Sequence, residues 1–255
     1  METHAMKSFP DTNFPPVYPV GPVLNLDGVA GKADDKDVIS WLDDQPPSSV
    51  VVLCFGSMGW FNEVKVKEIA CGLEQSGHQF VWSLRRPPQL EQSSEGHVDN
   101  YDGVLPDGFL ECTSGTGKVI GWAPQVSLLA HKAVGGFVSH CGWNSMLESL
   151  WFSVTMAIWP MYAEQQMNAF ELVVELGLAV DLRMDYKVDM FNPNSNIVIV
   201  MTEDVEKGIK QVMEVNMVRA KVKEMSKLSR AAVAQGGSSY ATVGYLVQEI
   251  MNKMI

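Results

Sequence analysis

Residues 135–152 read GGFVSHCGWNSMLESLWF, and this stretch decides the fold class. Its first part is a short apolar run typical of a buried strand, and its last part has the spacing of an amphipathic helix. Small and polar residues, HCGWNS at 140–145, form the turn between the two. Such a turn either meets a geometric demand of the backbone or holds an anion where the helix starts.

The same strand-then-helix pattern recurs along the chain. Apolar runs typical of strands lie at 48–59, 78–84, 118–122, 154–160 and 178–182, and IVIV at 197–200 is one more short run. Continuous apolar strands alternating with helices predict an α/β domain with a doubly wound parallel sheet. Ligands of such sheets bind at the carboxyl ends of the strands. The candidate loops are therefore 56–60, 121–125, 139–145 and 159–165.

The charge balance excludes one class of partner. The chain of 255 residues has 30 Asp and Glu against 19 Lys and Arg, a net charge of −11, and 46% of its residues are hydrophobic. This composition is typical of a globular protein, and without a basic stripe we expect no nucleic-acid partner. An anionic ligand must be held by local groups against an unfavourable overall field.

Cysteine use and hydropathy bear on the compartment. Cys54, Cys71, Cys112 and Cys141 show neither C-x-x-C pairing nor metal-finger spacing, so we interpret them as reduced thiols. No apolar run has the length of a transmembrane helix, and the first residues lack the apolar core of a secretory signal. We predict a cytoplasmic protein without a membrane span.

The chain divides into a tether and a domain. Residues 10–22, PDTNFPPVYPVGP, contain five prolines, which favours an extended segment. We predict an interdomain linker at 1–22 and one domain at 23–255 that ends in helices. Polar stretches at 87–103 and 183–196 are predicted to be loops.

Loop 56–60 is the first candidate phosphate site. In FGSMG, Gly56 and Gly59 would let the backbone approach a ligand closely, and Ser57 offers a hydroxyl. The alternative is that these residues serve only the geometry of the turn, and the stretch alone does not separate the two.

Loop 139–145, which we call the anion loop, makes a stronger case. Asn144 and Ser145 fall in the first turn of the predicted helix, where free N–H groups favour negative charge. Gly142 permits an unusual backbone angle, and His140 can donate to a phosphate oxygen. In the alternative, Asn144 is simply an N-cap and His140 is a satisfied buried histidine.

Glu148 and Trp122 are candidates for a nucleoside. Glu148 lies one helical turn beyond Asn144 on the same face, where a carboxylate can accept from the vicinal hydroxyls of a ribose; the alternative is a solvent-facing charge. Trp122 ends a predicted strand and can stack on a flat base whose edge the Ala123 backbone reads. A lone tryptophan is more often part of a core.

Glu164 and Gln165 stand at the start of another predicted helix. A carboxylate beside an amide suits sugar hydroxyls, because each group can hold two of them. The alternative is an acidic residue that complements the helix dipole. The candidates then follow one crevice in the order base, ribose, diphosphate and polyol.

The run from Trp122 to Gln165, WAPQVSLLAHKAVGGFVSHCGWNSMLESLWFSVTMAIWPMYAEQ, resembles the donor signature of plant UDP-dependent glycosyltransferases of family 1. VVLCFGSMG, HQFVWSLRRPP and LPDGFLE are also similar to this family. The resemblance extends over the whole chain and implies that it corresponds to the C-terminal half of such an enzyme. It implies a Rossmann-like domain that forms one half of a GT-B fold.

The resemblance implies a role for each matching position. It assigns Trp122, Ala123, Gln125 and Glu148 to uracil and ribose, Ser57, His140, Asn144 and Ser145 to the diphosphate, and Trp143, Glu164 and Gln165 to the sugar. Glutamine at the last of these positions usually accompanies glucose donors. The family uses no metal, so the expected ligand is UDP-glucose alone, without a cofactor.

Transfer itself needs a group that the resemblance places elsewhere. In this family an acceptor hydroxyl attacks the anomeric carbon with inversion while UDP leaves, and the helix start and His140 would stabilise the developing charge. The general base that the hydroxyl needs is a histidine of the N-terminal domain. We therefore expect no catalytic residue in this chain, UDP-sugar binding without efficient transfer, and a flavonoid or other phenolic acceptor held by the missing domain.

The sequence also departs from the family pattern. Ser153 and Thr155 stand where the family usually has Gly and Pro, and Trp60 replaces a usually small residue. These departures favour the alternative of a non-catalytic UDP-sugar-binding module. A dinucleotide-dependent oxidoreductase would need G-x-G-x-x-G, and FGSMGW has only G-x-x-G.

Overall fold

The computed structural model describes residues 16–26, 36–57, 59–85, 101, 103–185 and 200–253. Its strands are β1 Val50–Cys54, β2 Gln79–Ser83, β3 Gly117–Ile120, β4 Val134–Ser139, β5 Thr155–Ile158 and β6 Ala179–Asp181. They form a six-stranded sheet in the order β3-β2-β1-β4-β5-β6, and all neighbouring strands are parallel. The predicted α/β class and parallel sheet are confirmed.

The helices lie between the strands and after the sheet. They are α1 Lys36–Asp43, α2 Glu63–Ser76, α3 Phe109–Cys112, α4 Gln125–Ala130, α5 Trp143–Trp151, α6 Gln165–Phe170, α7 Thr202–Glu214, α8 Asn216–Val233 and α9 Ser238–Lys253. A π-helical segment, Glu171–Glu175, follows α6 directly.

Alternate residues of β1 point to opposite faces of the sheet. Val51 and Leu53 belong to one buried cluster with residues of α2 and α7, whereas Val50 and Val52 belong to another with residues of α4, α5 and α8. Every residue of β1 and β4 is buried. Strands buried on both faces read as continuous apolar runs, because each side chain leaves water. Helices therefore cover both faces, and the doubly wound prediction is confirmed.

The strand order creates a crevice between β1 and β4. After β1 the chain builds β2 and β3 on one side, and after β4 it builds β5 and β6 on the other. The helices that follow these two central strands, α2 and α5, pack in the two different clusters. Loops that leave neighbouring strands for opposite faces open a cleft at the carboxyl edge, which is where doubly wound sheets bind ligands.

An aromatic cluster fixes the loop after β1. The Phe55 ring meets Phe61 edge-on at 4.7 Å and Trp159 edge-on at 5.3 Å between centroids. All three side chains are buried. Because Trp159 follows β5, this cluster joins the loop ends of β1 and β5 and holds the backbone between them in place.

The two departures from the family pattern at the α5–β5 turn have visible consequences. Ser153 has φ of 63°, a left-handed conformation that glycine adopts without steric cost. Thr155 is fully buried, and its hydroxyl has no hydrogen-bond partner among the described residues. Both replacements therefore act on the stability of this turn.

Parts of several predictions lie outside the described residues. These are linker residues 1–15, loop residues 87–100 and 186–196, and 197–199 of the predicted strand IVIV. Val200, which ends IVIV, is buried but belongs to no strand. Residues 16–26 have no helix or strand, and the Ser239 hydroxyl of α9 donates to the Gly21 carbonyl.

Candidate functional site

A cavity of about 590 Å³ opens at the carboxyl edge of the sheet, beside the crevice. This volume is within the usual range for small-molecule sites. Each of the four predicted loops contributes to its wall. The lining residues are Cys54, Gly56, Ser57, Ser83, Arg85, Trp122, Ala123, Pro124, Gln125, Val126, His140, Gly142, Trp143, Asn144, Ser145, Glu148 and Glu164.

Trp122 lines the cavity. Its side chain is 63% exposed, so the alternative of a core tryptophan is wrong. Arg85, from the end of β2, places its guanidinium 5.2 Å from the centre of the indole ring. An exposed ring beside the Ala123 and Pro124 backbone offers a flat apolar surface for a planar ligand.

Gln125 and Glu148 form a polar pair next to Trp122. Gln125 Nε2 donates to Glu148 Oε2 at 2.7 Å and to Ser145 Oγ at 3.0 Å. Burial raises the pKa of the Glu148 carboxyl, and the hydrogen bond from Gln125 opposes that rise. Glu148 is half-buried in the cavity wall, so the alternative of a solvent-facing charge is wrong.

His140 lies at the centre of the anion loop. The side chain is 8% exposed, and burial lowers its pKa to about 4, against opposing effects of Glu164 and the Cys54 backbone. Although the Cys54 backbone lies close, no atom in the described part of the chain meets hydrogen-bond geometry with Nδ1. His140 is therefore a neutral, incompletely satisfied group in the wall of the cavity.

Two glycines make room for the imidazole. A Cβ at Gly56 would lie 2.7 Å from His140 Nε2, and a Cβ at Gly142 would lie 2.6 Å from it. The predicted reason for Gly142 is wrong, because its φ is an ordinary −64°. The left-handed residue is Cys141, at φ 62°. Gly142 is required by the close approach of the ring.

Helix α5 directs its first turn at the cavity. It begins at Trp143 and Gly142 is the N-cap, so the alternative of Asn144 as N-cap is wrong. The first intrahelical bond runs from Met146 N to Gly142 O at 3.0 Å. The N–H groups before Met146 have no acceptor within the helix and carry the positive end of its dipole. Trp143, Asn144 and Ser145 line the cavity at this point.

The sequence matches a known protein family. The family model for UDP-glucoronosyl and UDP-glucosyl transferase matches residues 3–232. The chain belongs to this family.

The chain is similar to plant proteins along almost its whole length. UDP-glycosyltransferase 71A15 of Malus domestica is 55% identical over 98% of the chain, which covers 52% of that relative. Anthocyanidin 3-O-glucosyltransferase 6 of Manihot esculenta is 52% identical over 100% of the chain, which covers 64% of it. The chain thus spans about half to two thirds of these relatives.

A solved structure shares the fold of this chain. The crystal structure of Medicago truncatula UGT71G1 complexed with UDP-glucose superposes with a TM-score of 0.80 at 46% identity. The match covers 92% of this chain and 48% of the other. At this identity the likeness extends beyond the Rossmann-like fold to the family, and it places the chain in one half of a GT-B enzyme.

The sugar-side predictions for this family member have different outcomes. Glu164 lines the cavity as the N-cap of α6. Gln165 does not line the cavity and is 2% exposed. Its Oε1 accepts from the backbone N–H groups of Met161 and Tyr162 at 2.9 and 3.0 Å. The sugar role of Gln165 stays a prediction.

The sequence did not reveal the cavity residues at the end of β2. Ser83 and Arg85 line the cavity at the end of β2, and the carboxyl-edge rule applies to that strand as well. Trp60, one of the departures from the family pattern, is not among the residues that line the cavity.

Other expected properties concern metals and membranes. Among the described residues, no cluster of His, Cys, Asp and Glu side chains has the arrangement of a metal site. The described helices include none that is long and apolar enough to cross a membrane.

Proposed function

We propose that this chain is the donor-binding half of a UDP-glucosyltransferase and that its cavity binds UDP-glucose. One observation carries the proposal: an exposed indole, an ordered amide–carboxylate pair and a helix N-terminus with a buried histidine line one cavity in that order. These are the groups that a base, a ribose and a diphosphate require. The Medicago truncatula relative was crystallised with UDP-glucose.

The nucleoside binds at the Trp122 end. Uracil stacks on the indole, a contact that contributes roughly 1–3 kcal/mol per base in nucleic-acid complexes, and the Ala123 backbone contacts its edge. The ribose hydroxyls donate to the Glu148 carboxylate. Gln125 already orients that carboxylate, which lowers the conformational cost of binding.

The diphosphate binds at the anion loop. Ser57, Asn144, Ser145 and the first-turn N–H groups of α5 donate to its oxygens, and His140 adds a ring N–H. Arg85 is the one Lys or Arg side chain among the described residues that line the cavity. In a chain with a net charge of −11, these local donors stabilise the charge that develops on the leaving UDP.

Glucose lies beyond the diphosphate. Trp143 and Glu164, which line the cavity, contact it there. Gln165 contributes through Nε2, because its Oε1 is engaged with the backbone of Met161 and Tyr162. No metal or other cofactor takes part in the binding that we propose.

Activation of the acceptor requires a second domain. His140 is the one histidine among the described residues that line the cavity, and its pKa of about 4 and its place at the diphosphate make it unsuitable as the general base. We infer that the acceptor, a flavonoid or another phenolic, is held and deprotonated by the part of the relatives that this chain does not cover. The anthocyanidin 3-O-glucosyltransferase relative supports that acceptor class.

The last helix supports docking of such a domain. Among the described residues of α9, Ser239 is the buried one. The helix also carries an exposed apolar stripe formed by Tyr240, Val243, Val247 and Ile250. Exposed apolar stripes of this kind mark interfaces.

We propose that residues 1–22 are the linker to this domain and that residues 23–255 form the donor domain. We also propose that the protein is cytoplasmic, which the four free cysteines favour.

Two measurements test the proposed function. Calorimetric titration should show that the chain binds UDP and UDP-glucose and that Trp122→Ala weakens the binding of both ligands. Tyr245 is an exposed aromatic residue outside the cavity, so the control Tyr245→Ala should leave the binding of both ligands unchanged. Absence of UDP binding would overturn the donor site.

The second measurement is a transfer assay with UDP-glucose and a phenolic acceptor. The isolated chain should be inactive, and a chimera that joins it to the upstream half of the Malus domestica relative should be active. Efficient transfer by the isolated chain would refute the need for a second domain. Binding without transfer in the chimera would instead establish a non-catalytic UDP-sugar-binding module.

A further inference from the structure

Cys141 has a strained backbone in the middle of the anion loop. Its φ is 62°, in the left-handed region that costs energy for every residue with a side chain other than the occasional Asn or Asp. The glycine is at the next position, 142, where φ is −64° and the ability of glycine to adopt a left-handed conformation is not needed. Something outside the loop must hold Cys141 in this conformation.

Two buried side chains hold it. Cys141 N donates to Ser139 Oγ at 3.2 Å, and Asn168 Nδ2 donates to Cys141 O at 3.0 Å. Ser139 belongs to β4 and is local, whereas Asn168 reaches across from α6 and is 7% exposed. The Asn168 bond is therefore the tertiary contact that fixes the carbonyl of the strained residue.

We propose that Asn168 is a positioning residue for the diphosphate. It does not line the cavity, so it acts through Cys141: by holding that carbonyl it sets the direction in which His140 and the α5 N-terminus face the ligand. Because Glu164 lines the cavity at the start of the same helix, the bond also ties the sugar side of the site to the diphosphate side. This inference rests on the proposed binding of UDP-glucose.

The use of cysteine at 141 fits this role. Glycine would adopt the same left-handed conformation freely, but it would also adopt many others. A residue with a Cβ, forced into one conformation by Asn168, leaves the anion loop with a single geometry before the ligand arrives. Fixed donors stabilise a charged ligand better than mobile ones, since they need no reorganisation.

Calorimetric titration with UDP and with uridine tests the proposal in the full chain. Asn168→Ala and Asn168→Leu, which keeps a side chain of similar size without the N–H donor, should each weaken UDP binding about tenfold, as expected for a lost buried hydrogen bond and a relaxed loop. Uridine binding should stay within about twofold of the unmodified chain, because uridine lacks the phosphates. Ser226→Ala, which removes a buried hydroxyl that donates to the Trp151 carbonyl far from the cavity, is the matched control and should leave UDP binding unchanged.

Rescue separates positioning from general destabilisation. Cys141→Gly relieves the strain at 141, so the double variant Asn168→Ala, Cys141→Gly should bind UDP several-fold more tightly than Asn168→Ala. If Asn168→Ala does not fold, Asn168→Leu and the same glycine substitution in its background give the same comparison.

The outcomes are distinct. UDP binding by the unmodified chain together with unchanged binding by both Asn168 variants would overturn the inference and leave the proposed function intact. Equal losses for UDP and uridine, or no rescue by Cys141→Gly, would also overturn it, because Asn168 would then act only on overall stability. Failure of the unmodified chain to bind UDP would overturn the proposed function, and the positioning role with it.

Discussion

Gln125 Nε2 donates to Glu148 Oε2 at 2.7 Å in the wall of the cavity. Gln125 is the first residue of α4, and Glu148 lies in the middle of α5, so two helices that follow different strands supply the pair. The same Gln125 nitrogen also reaches Ser145 Oγ at 3.0 Å. The carboxylate is thus oriented by the protein alone, before a ribose is bound.

We expect Glu148→Gln to weaken UDP binding about 10- to 100-fold. An uncharged amide accepts less strongly than a carboxylate, and hydrogen bonds to charged groups contribute about 1.5–3 kcal/mol. Because burial raises the pKa of the Glu148 carboxyl, its neutralisation should not reduce the free energy of unfolding. Calorimetric titration and thermal melting measure the two effects. Glu224→Gln, on the exposed surface, is the control, and equal affinities of both variants would contradict the ribose role.

Gly142→Ala should weaken UDP binding without a backbone penalty. The φ of −64° and ψ of 148° at this N-cap suit alanine, but the new Cβ would lie 2.6 Å from His140 Nε2. The imidazole must move away from the diphosphate, and we expect an affinity loss of at least about tenfold. Gly115→Ala, where a Cβ meets nothing within 4 Å, is the control for alanine substitution. UDP binding unchanged in Gly142→Ala would show that the ring position is unimportant.

The sheet and the location of the site could be predicted from the sequence because both depend on local pattern. Residues 50–54 are buried and apolar throughout, residues 134–138 are buried and carry no polar side chain, and the carboxyl-edge rule then selects the loops. The strain at Cys141 could not be predicted, because it depends on a contact with Asn168, which lies 27 positions away. From the sequence, Gly142 was expected to have the unusual backbone angle, whereas Cys141 has it.

The predicted role of Gln165 shows a second limit. Sequence alone places this amide at a helix start beside Glu164, but it does not show which way the side chain turns. In the structure the side chain turns inward and binds the backbone of the preceding loop. Side-chain direction at a helix start follows from tertiary packing, which no spacing rule encodes.

Gln165→Ala should lower stability as well as affinity. The substitution leaves the buried N–H of Met161 and that of Tyr162 without their acceptor, at a cost of about 1–3 kcal/mol. Denaturant unfolding measures the loss, and Gln211→Ala, an exposed glutamine of α7, should change the free energy of unfolding by less than about 0.5 kcal/mol. An unchanged free energy in Gln165→Ala would mean that the side chain is free to serve the sugar alone.

Thr155→Val should stabilise the chain by about 1 kcal/mol. The Thr155 hydroxyl is buried without a hydrogen-bond partner among the described residues, and valine has nearly the same shape without the desolvation cost. Thr113→Val is the matched control of opposite sign, because the Thr113 hydroxyl is buried and donates to the Phe109 carbonyl at 2.7 Å. Denaturant unfolding should therefore separate the two variants, and a loss of stability in Thr155→Val would show that the hydroxyl is satisfied.

His140 should make the chain less stable as the pH falls from 6.5 to 4. Burial lowers the folded-state pKa from 6.5 to about 4, so in this window the unfolded chain binds a proton that the folded chain does not. The unfolded state therefore gains stability as protons become available, and the free energy of unfolding falls by up to about 3 kcal/mol across the window. Above about pH 7.5 the histidine is neutral in both states and contributes almost no pH dependence.

His140→Phe isolates this effect, because phenylalanine keeps an aromatic ring but does not titrate. The other ionisable groups contribute alike to both proteins, so the difference in free energy of unfolding between the unmodified chain and the variant reports His140 alone. Denaturant unfolding at pH 6.5, 5 and 4 should show that the unmodified chain becomes steadily less stable relative to the variant as the pH falls. A difference that stays constant over the window would mean that His140 has the same pKa in both states, and burial would then not lower it.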